Sequence, residues 1–153
     1  MQRKCSTSGE FMIEVVFCHK DEVEDEKLEF AVIVAVYNHE FVFCRHKKRT
    51  TWEVPGGHRE AGESVDDAAK RELYEESGAV EYKLSPITVY GVKSDGKTTY
   101  GMLYYAYIAV IGDLPADFEI AEIMLSKIMP ENLTYPEIQP KLWAFIRKEL
   151  NLD

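Results

Sequence analysis

The sequence has 153 residues, a length that fits one ordinary domain and excludes a multidomain machine. It is 46% hydrophobic and 12% aromatic, which is enough to build a core and excludes intrinsic disorder as the default. Its 18 Lys and Arg against 27 Asp and Glu give a net charge of −9, which argues against a surface that holds nucleic acid electrostatically. A phosphate-bearing substrate stays compatible with this charge if a bound cation reverses the local field. We therefore expect one domain over residues 1–153.

The cysteines and the start of the chain indicate a cellular compartment. Cys5, Cys18 and Cys44 form no C-x-x-C pair, which is typical of reduced thiols in a cytosolic protein. The basic start is followed by a short apolar run that Glu14 interrupts, unlike a secretory signal. The most apolar stretch, Phe30–Tyr37, is far shorter than the ~20 residues of a membrane span. The sequence thus predicts a cytoplasmic protein with no membrane partner.

The first part of the chain has the pattern of β-structure. Phe11–Phe17 predicts a strand, and the acidic run Asp21–Lys27 predicts a solvated hairpin loop after it. Phe30–Tyr37 is continuously apolar and rich in β-branched residues, as in a strand that is buried on both faces. Asn38-His39 predicts a turn, and Glu40–Arg45 predicts the second arm of a hairpin.

The rest of the chain combines strands with two helices. Ser64 and Gly78 predict the two ends of a helix over Ser64–Ser77, because serine caps helix N-termini and glycine ends helices. The other predicted elements are a short strand at Trp52–Val54 ended by Pro55-Gly56-Gly57, strands at Ile87–Val92 and Tyr100–Ile111 joined by an Asp95-Gly96 turn, and a helix at Pro140–Leu150. Many strands with two separate helices predict a mixed α/β or α+β fold.

The first predicted helix carries carboxylates on its apolar face. Val65 and Ala68 belong to an apolar stripe at helical spacing, and Glu72, Glu75 and Glu76 lie on or beside its continuation. If partly buried, two carboxylates ~5–6 Å apart repel by roughly 3 kcal/mol at an effective dielectric of ~20, and a divalent cation removes that penalty. Hard oxygen ligands of this kind suit Mg²⁺ or Mn²⁺. The helix pattern alone is compatible with two interpretations, a metal site and a solvated helix end.

A longer spacing pattern favours the metal site. Residues 57–79, GHREAGESVDDAAKRELYEESGA, follow the pattern G-x5-E-x7-R-E-U-x-E-E-x-G-U, in which U is a bulky aliphatic residue. Every fixed letter matches, and only the last aliphatic position departs, with Ala79. In this motif, and in the preceding W-E-V-P-G of Trp52–Gly56, the chain resembles the Nudix hydrolase family. The resemblance implies an α/β/α sandwich with a mixed central β-sheet.

The resemblance also implies a metal-dependent hydrolase of phosphoanhydrides in nucleoside diphosphates linked to a further group. It implies that Glu75 and Glu76 are metal ligands, and that Glu72 is a ligand, the water-activating base or both. The carbonyl oxygen of Gly56 is implied as a further ligand, because glycine lets the backbone approach an ion closely. The residues implied to orient and support these ligands are Gly57, Glu63 and Arg71.

Candidates for the base and for substrate contacts lie outside the motif. Some family members use a glutamate elsewhere as the base, and Glu119 and Glu122, which follow the last predicted strand, are the candidates here, with Glu119 preferred over Glu72 and Glu122. The basic run 45–49 borders the cleft in this fold, so Arg45 and Lys47 are predicted to contact terminal phosphates. A second candidate group is predicted to form a base-recognition wall by stacking and edge hydrogen bonds, and consists of Tyr135, Glu137 and Gln139.

The sequence therefore predicts a Mg²⁺- or Mn²⁺-dependent Nudix pyrophosphohydrolase of the MutT-like branch. Its predicted substrate is a nucleoside triphosphate, with an oxidised one such as 8-oxo-dGTP as a candidate. The short PENL segment at residues 130–133 resembles a branch that also includes RNA 5′-pyrophosphohydrolases, so an RNA 5′ end is the alternative substrate. Another nucleoside-diphosphate hydrolase and a non-catalytic nucleotide-binding module are the remaining alternatives. By analogy with the family, the protein is a monomer or a homodimer.

Overall fold

The computed structural model describes residues 12–152, which form seven strands and two α-helices. The strands are β1 (Glu14–Cys18), β2 (Leu28–Tyr37), β3 (Glu40–His46), β4 (Gly56–His58), β5 (Ala79–Ser94), β6 (Lys97–Ile111) and β7 (Ile120–Ser126), and the helices are α1 (Val65–Ser77) and α2 (Gln139–Glu149). Among these residues, neither helix has the length and apolar character that crossing a membrane requires.

The strands form one mixed sheet in the order β1-β5-β6-β2-β3-β7, with β4 paired to β2. The β2–β6 pair is parallel, whereas the other pairs are antiparallel. Asp95 and Gly96 have φ angles of 54° and 76° and join β5 to β6, which confirms the predicted turn. The predicted mixed sheet is confirmed as well.

The sheet lies between the two helices because successive residues of β2 point to opposite faces. Ile33 lies in the core that includes Leu73 of α1. Val34 lies in the second core, which includes Leu142 and Ile146 of α2. The expected α/β/α sandwich is confirmed, and it places α1 on the face where its carboxylates meet β4.

The ends of α1 follow local chemistry. The Ser64 hydroxyl accepts a hydrogen bond from the Asp67 N–H at 3.0 Å, so serine caps the helix as predicted. Gly78 ends the helix with a φ of 77°, a left-handed conformation that favours glycine. The C-terminal helix is confirmed at Gln139–Glu149, one residue earlier at each end than predicted.

The predicted hairpin around the acidic run 21–27 is wrong. β1 pairs with β5, not with β2, because the long β5–β6 hairpin lies between β1 and β2 in the sheet. The acidic run instead forms two 3₁₀ turns, Lys20–Glu22 and Asp25–Lys27, that lead from the sheet edge to its centre. Of the predicted first strand, Phe11 lies outside the described residues, as does Cys5.

Two further expectations are corrected. Trp52–Val54 makes only isolated bridges, Cys44 to Glu53 and Trp52 to Leu133, and the regular strand is β4 just after it. The segment after the last predicted strand, for which no strand was predicted, contains β7, which pairs with β3. Paired residues of β3 and β7 are between 74 (His46 and Ile120) and 85 (Phe41 and Ser126) positions apart, so no local turn signal predicts this pairing.

Candidate active site

The three carboxylates of α1 lie at the base of one pocket. Glu72 and Glu76 are only 9% and 6% exposed, and Glu75 is half-buried. All three line a pocket of about 540 Å³ together with Gly56 and Gly57 of β4. The charges at the end of α1 therefore face a pocket, which excludes the solvated helix end that the periodicity had left open.

Two glycines allow β4 to approach these carboxylates closely. The Gly56 N–H donates to Glu76 Oε1 at 2.8 Å. A Cβ at Gly57 would overlap the Glu72 carboxylate, and a Cβ at Gly56 would lie 2.6 Å from the carbonyl oxygen of Ala31. The backbone of β4 thus forms the floor of the pocket, and it can lie this close to its neighbours because both residues are glycines.

Burial and mutual repulsion disfavour the charged forms of these carboxylates. Burial, followed by repulsion from Glu76, raises the pKa of Glu72 to about 8. Burial also raises the pKa of Glu76, although hydrogen bonds from His46 and Gly56 oppose that rise, and burial raises the pKa of Glu75. Negative charge in this site therefore lowers the stability of the folded protein, and a bound divalent cation would remove that destabilisation.

The chemistry of the donors fits a hard divalent ion. Carboxylate and backbone oxygens, the groups offered by Glu72, Glu75, Glu76 and Gly56, are the ligands that Mg²⁺ and Mn²⁺ prefer. Within residues 12–152, no group of three or more His, Cys, Asp or Glu side chains is already arranged to enclose an ion. Instead Arg71 Nη1 lies 3.5 Å from Glu72 and 3.6 Å from Glu75, so these side chains have to reorient to hold a metal.

Arg71 and Glu63 tie the motif loop to the helix. Arg71 Nε and Nη2 donate to the two carboxylate oxygens of Glu63 at 2.7 and 3.0 Å, and Nη2 also donates to the His58 carbonyl oxygen at 3.0 Å. The Arg71 guanidinium lowers the pKa of Glu63. This bidentate pair fixes where the loop after β4 meets α1, and the supporting role of both residues stays a prediction.

His46 and Glu53 are site residues that sequence reasoning missed. His46 Nε2 lies 3.3 Å from the buried Glu53 carboxylate and 3.5 Å from Glu76, and its Nδ1 lies 3.5 Å from Glu119. A hydrogen bond to Glu76 raises the pKa of His46 although burial opposes the rise. The available signals were a charged residue inside W-E-V-P-G and a histidine within the basic run, and neither predicts this contact by itself.

The basic run does not point uniformly into the cleft. Arg45 Nη2 lies 2.9 Å from Glu122 on β7, and Lys47 Nζ donates to the Ala116 carbonyl oxygen at 3.2 Å. Arg49 instead lines the carboxylate pocket, where its Nη1 lies 3.0 Å from Glu53. Lys47 lines an adjacent pocket. The predicted phosphate contacts of Arg45 and Lys47 stay predictions, and Arg49 is the arginine of the run that lines the carboxylate pocket.

The two base candidates also occupy different places. Glu119 lines the carboxylate pocket, and its side chain is 85% exposed. Glu122 lies on β7 in its ion pair with Arg45. The structure thus brings Glu119, but not Glu122, next to the carboxylates of α1.

An apolar cavity of about 250 Å³ adjoins the carboxylate pocket. Tyr135 lines both, and the buried Gln139 lines the cavity, where its Oε1 accepts a hydrogen bond from the Val54 N–H at 2.9 Å. Glu137 is exposed and lines neither. Tyr135 and Gln139 are thus placed where a base could bind, whereas Glu137 is not.

Comparison with known proteins shows the family to which the chain belongs. The model of the NUDIX domain matches residues 27–148, which is most of the chain. The chain therefore belongs to the Nudix family, whose members hydrolyse phosphoanhydride bonds and generally use divalent metal ions. It is an enzyme of this hydrolase class, as the sequence predicted.

Individual relatives are more distant. A Bacillus subtilis protein, YtkD, named as a candidate 8-oxo-dGTP diphosphatase, is 29% identical over 117 residues, which cover 76% of this chain and 71% of that protein. The crystal structure of the Bacillus subtilis pyrophosphohydrolase BsRppH superposes with a TM-score of 0.75 at 20% identity and covers 92% of this chain and 93% of that one. A C. elegans Ap4A hydrolase superposes with a TM-score of 0.62 at 18% identity, covering 80% and 99%. The two structures establish the shared fold.

Proposed function

We propose that this chain is a Mg²⁺- or Mn²⁺-dependent nucleoside triphosphate pyrophosphohydrolase of the cytoplasm. The observation that carries the proposal is that an apolar cavity of about 250 Å³ shares five lining residues with the pocket of the α1 carboxylates, namely Glu53, Gly56, Gly57, His58 and Tyr135. A planar base suits the first and a metal-bound phosphate chain suits the second. Tyr135, which lines both, lies at their junction.

Glu72, Glu75, Glu76 and the Gly56 carbonyl oxygen would hold the metal. A bound divalent ion neutralises phosphate oxygens and makes water more acidic. Glu119 is the proposed proton acceptor, because its exposed carboxylate lines the same pocket. His46 lies 3.5 Å from both Glu119 and Glu76 and in this way holds the two carboxylates near each other.

Hydrolysis of an oxidised triphosphate such as 8-oxo-dGTP is supported by the name of the 29% identical relative YtkD. An RNA 5′ end presents the same triphosphate on a longer chain and is the alternative substrate. The chain's net charge of −9 disfavours extensive RNA contacts, so we rank the free nucleotide first.

The test is a panel of substrates with Mg²⁺ or Mn²⁺, analysed for nucleotide and phosphate products. The panel contains 8-oxo-dGTP, the unmodified triphosphates, 5′-triphosphorylated RNA and ADP-ribose. The proposal expects a triphosphate to give the monophosphate and pyrophosphate, with Glu76→Gln as the inactive control. A preference for ADP-ribose, or turnover that survives chelation of metal, would contradict it.

A further inference from the structure

His46 lies at the centre of a group of charged side chains beside the α1 carboxylates. Its Nε2 is 3.3 Å from Glu53 Oε1 and 3.5 Å from Glu76 Oε2, and its Nδ1 is 3.5 Å from Glu119 Oε2. The two ring nitrogens therefore have different partners, with two buried carboxylates at Nε2 and the exposed Glu119 at Nδ1. An imidazolium has an N–H donor for each of these two sides.

The imidazole is held from its Nε2 side. Cys44 and Glu53 exchange two backbone hydrogen bonds of 2.8 and 3.0 Å, which fix the Glu53 backbone beside β3. Glu53 is only 5% exposed, and Arg49 Nη1 lies 3.0 Å from its Oε2, so that its other oxygen is left to His46. The ring is therefore held by a carboxylate that is itself fixed at both its backbone and its side chain.

Glu119 is fixed at its backbone, whereas its side chain is largely free. Its carbonyl oxygen accepts the N–H of Lys47, the residue that follows His46, at 2.7 Å. Its side chain is 85% exposed, and within residues 12–152 its one ionic contact is that with His46 Nδ1. An exposed glutamate has several rotamers of similar energy. The direction of the Glu119 carboxylate therefore depends on His46.

We propose that His46 is a positioning residue whose Nδ1 aims the Glu119 carboxylate into the carboxylate pocket. The inference rests on the proposed function, because it assumes Glu119 as the proton acceptor. An acceptor has to lie within hydrogen-bond reach of the group that it deprotonates, so selecting one rotamer of Glu119 raises kcat. The buried charge of Glu53 and its ion pair with Arg49 then have a role as well, which is to support the imidazole.

Asparagine and glutamine at position 46 distinguish this role from a structural one. The amide nitrogen of Asn takes the place of Nδ1, and that of Gln takes the place of Nε2. His46→Gln keeps a donor for the buried Glu53 but loses the one for Glu119, so kcat is expected to fall about tenfold. His46→Asn keeps the donor for Glu119, and kcat is expected to fall only about threefold. A structural role predicts the reverse order, because Gln is the better substitute at the buried carboxylates.

Steady-state kinetics with GTP and titration with Mn²⁺ measure these effects. In His46→Gln, KM for GTP and Kd for Mn²⁺ are expected to stay within about twofold, so that the loss is confined to kcat. The matched control is His19→Gln, an exposed histidine that lines none of the pockets described above, and it is expected to match the wild type. An equal loss of kcat in the two position-46 variants, or a larger loss in His46→Asn, would overturn the inference.

A double-mutant cycle tests whether His46 acts through Glu119. In a Glu119→Gln background, His46→Gln is expected to change kcat by less than about twofold, because no carboxylate is left to aim. Losses that multiply in the double variant would show two independent roles and would contradict the positioning role.

A measurement without turnover separates the inference from the proposed function. In long-range ¹H–¹⁵N spectra of the metal-free protein, the His46 Nδ1 resonance is expected to move in Glu119→Gln and to stay in place in His19→Gln. This result without hydrolysis of any nucleotide would support the positioning of Glu119 and refute the proposed function. Hydrolysis of GTP with a wild-type kcat in His46→Gln would refute the inference and leave the proposed function in place. If His46→Gln loses its native circular dichroism, the spectra still decide, since an Nδ1 resonance that does not move in Glu119→Gln would overturn the inference.

Discussion

At the scale of single residues, Glu76 is the most constrained side chain of the site. It is 6% exposed, accepts the Gly56 N–H at 2.8 Å, and lies 3.5 Å from His46 Nε2 and 3.8 Å from the buried Cys44 sulfur. Burial raises its pKa, so in the absence of a cation its charge opposes folding. A charged residue that lines a pocket and lowers the stability of the fold is typical of a binding or catalytic site.

We expect Glu76→Gln to abolish metal-dependent hydrolysis while the metal-free protein keeps or gains stability. The amide preserves the volume and the acceptor for the Gly56 N–H, but it removes an anionic ligand. Chemical denaturation with and without Mg²⁺ should show that the stabilisation by Mg²⁺ shrinks in the variant. Near-wild-type turnover in saturating Mg²⁺ would show that Glu76 is not a ligand.

Glu119 and Glu72 can be distinguished as the base. Glu119→Gln is expected to lower kcat by ~10²–10⁴, the usual effect of losing a general base, with metal affinity little changed. Glu72→Gln is expected to weaken metal binding as well as turnover, because Glu72 lies in the buried carboxylate cluster. Stopped-flow turnover and Mn²⁺ titration measure the two effects. A Glu119→Gln variant with a kcat close to that of the wild type would move the role to Glu72.

At the scale of elements, the junction of β4 with α1 builds the site. β4 pairs with β2 in the middle of the sheet, and α1 packs over the same region, so a backbone segment and a helix face are brought into contact. The two glycines of β4 play different parts in that contact. Gly56 lies against the backbone of Ala31, and Gly57 lies against the side chain of Glu72.

The two glycines predict two different phenotypes. Gly57→Ala is expected to fold close to normally but to lose most metal-dependent activity, because the Glu72 carboxylate is flexible and can move away from the new methyl group. Gly56→Ala is expected to destabilise the fold by ~1–3 kcal/mol, since its methyl group meets rigid backbone at 2.6 Å. Thermal unfolding and Mg²⁺-dependent turnover of both variants make the comparison. Equal stability of the two variants would contradict this assignment.

At the scale of the whole molecule, the carboxylate site couples stability to pH. The pKa of Glu72 is raised from 4.5 to about 8, and those of Glu75 and Glu76 are raised in the same direction. Between the ordinary pKa of Glu72, 4.5, and its raised value of about 8, the native state holds more protons than the unfolded state. The free energy of unfolding therefore falls as pH rises through this range. The raised pKa of His46 acts in the same direction above 6.5. The lowered pKa of Glu63 acts oppositely, but only below the ordinary value of 4.5.

We therefore expect the metal-free protein to lose stability between about pH 5 and pH 8, with a fall in Tm of roughly 3 °C or more. The part of the loss that comes from Glu72 begins above its ordinary pKa of 4.5 and is complete once pH exceeds about 8. Differential scanning calorimetry in chelator measures it, and Glu72→Gln, which cannot titrate, should flatten the profile. Added Mg²⁺ should restore stability at the alkaline end. A Tm that rises steadily over this range without metal would contradict the electrostatic description.

Local patterns in the sequence determined a large part of this protein. Ser64 and Gly78 predicted the ends of α1, and helical periodicity placed Glu72 and Glu76 on its packed face, because caps and periodicity depend only on neighbours within a few positions. The spacing of residues 57–79 predicted the family and hence the sandwich. Asp95-Gly96 predicted the β5–β6 turn for the same local reason.

Only the tertiary structure decided which distant segments meet. The pairing of β1 with β5, the existence of β7 and the contact of His46 with Glu53 and Glu119 all join residues whose proximity depends on strand order and register. The same pairings decided that Arg45 faces Glu122 while Arg49 pairs with Glu53 at the carboxylate pocket. Sheet pairing is non-local and alternates side chains between two faces, so a basic run in the sequence does not reveal which of its cations reach the cleft.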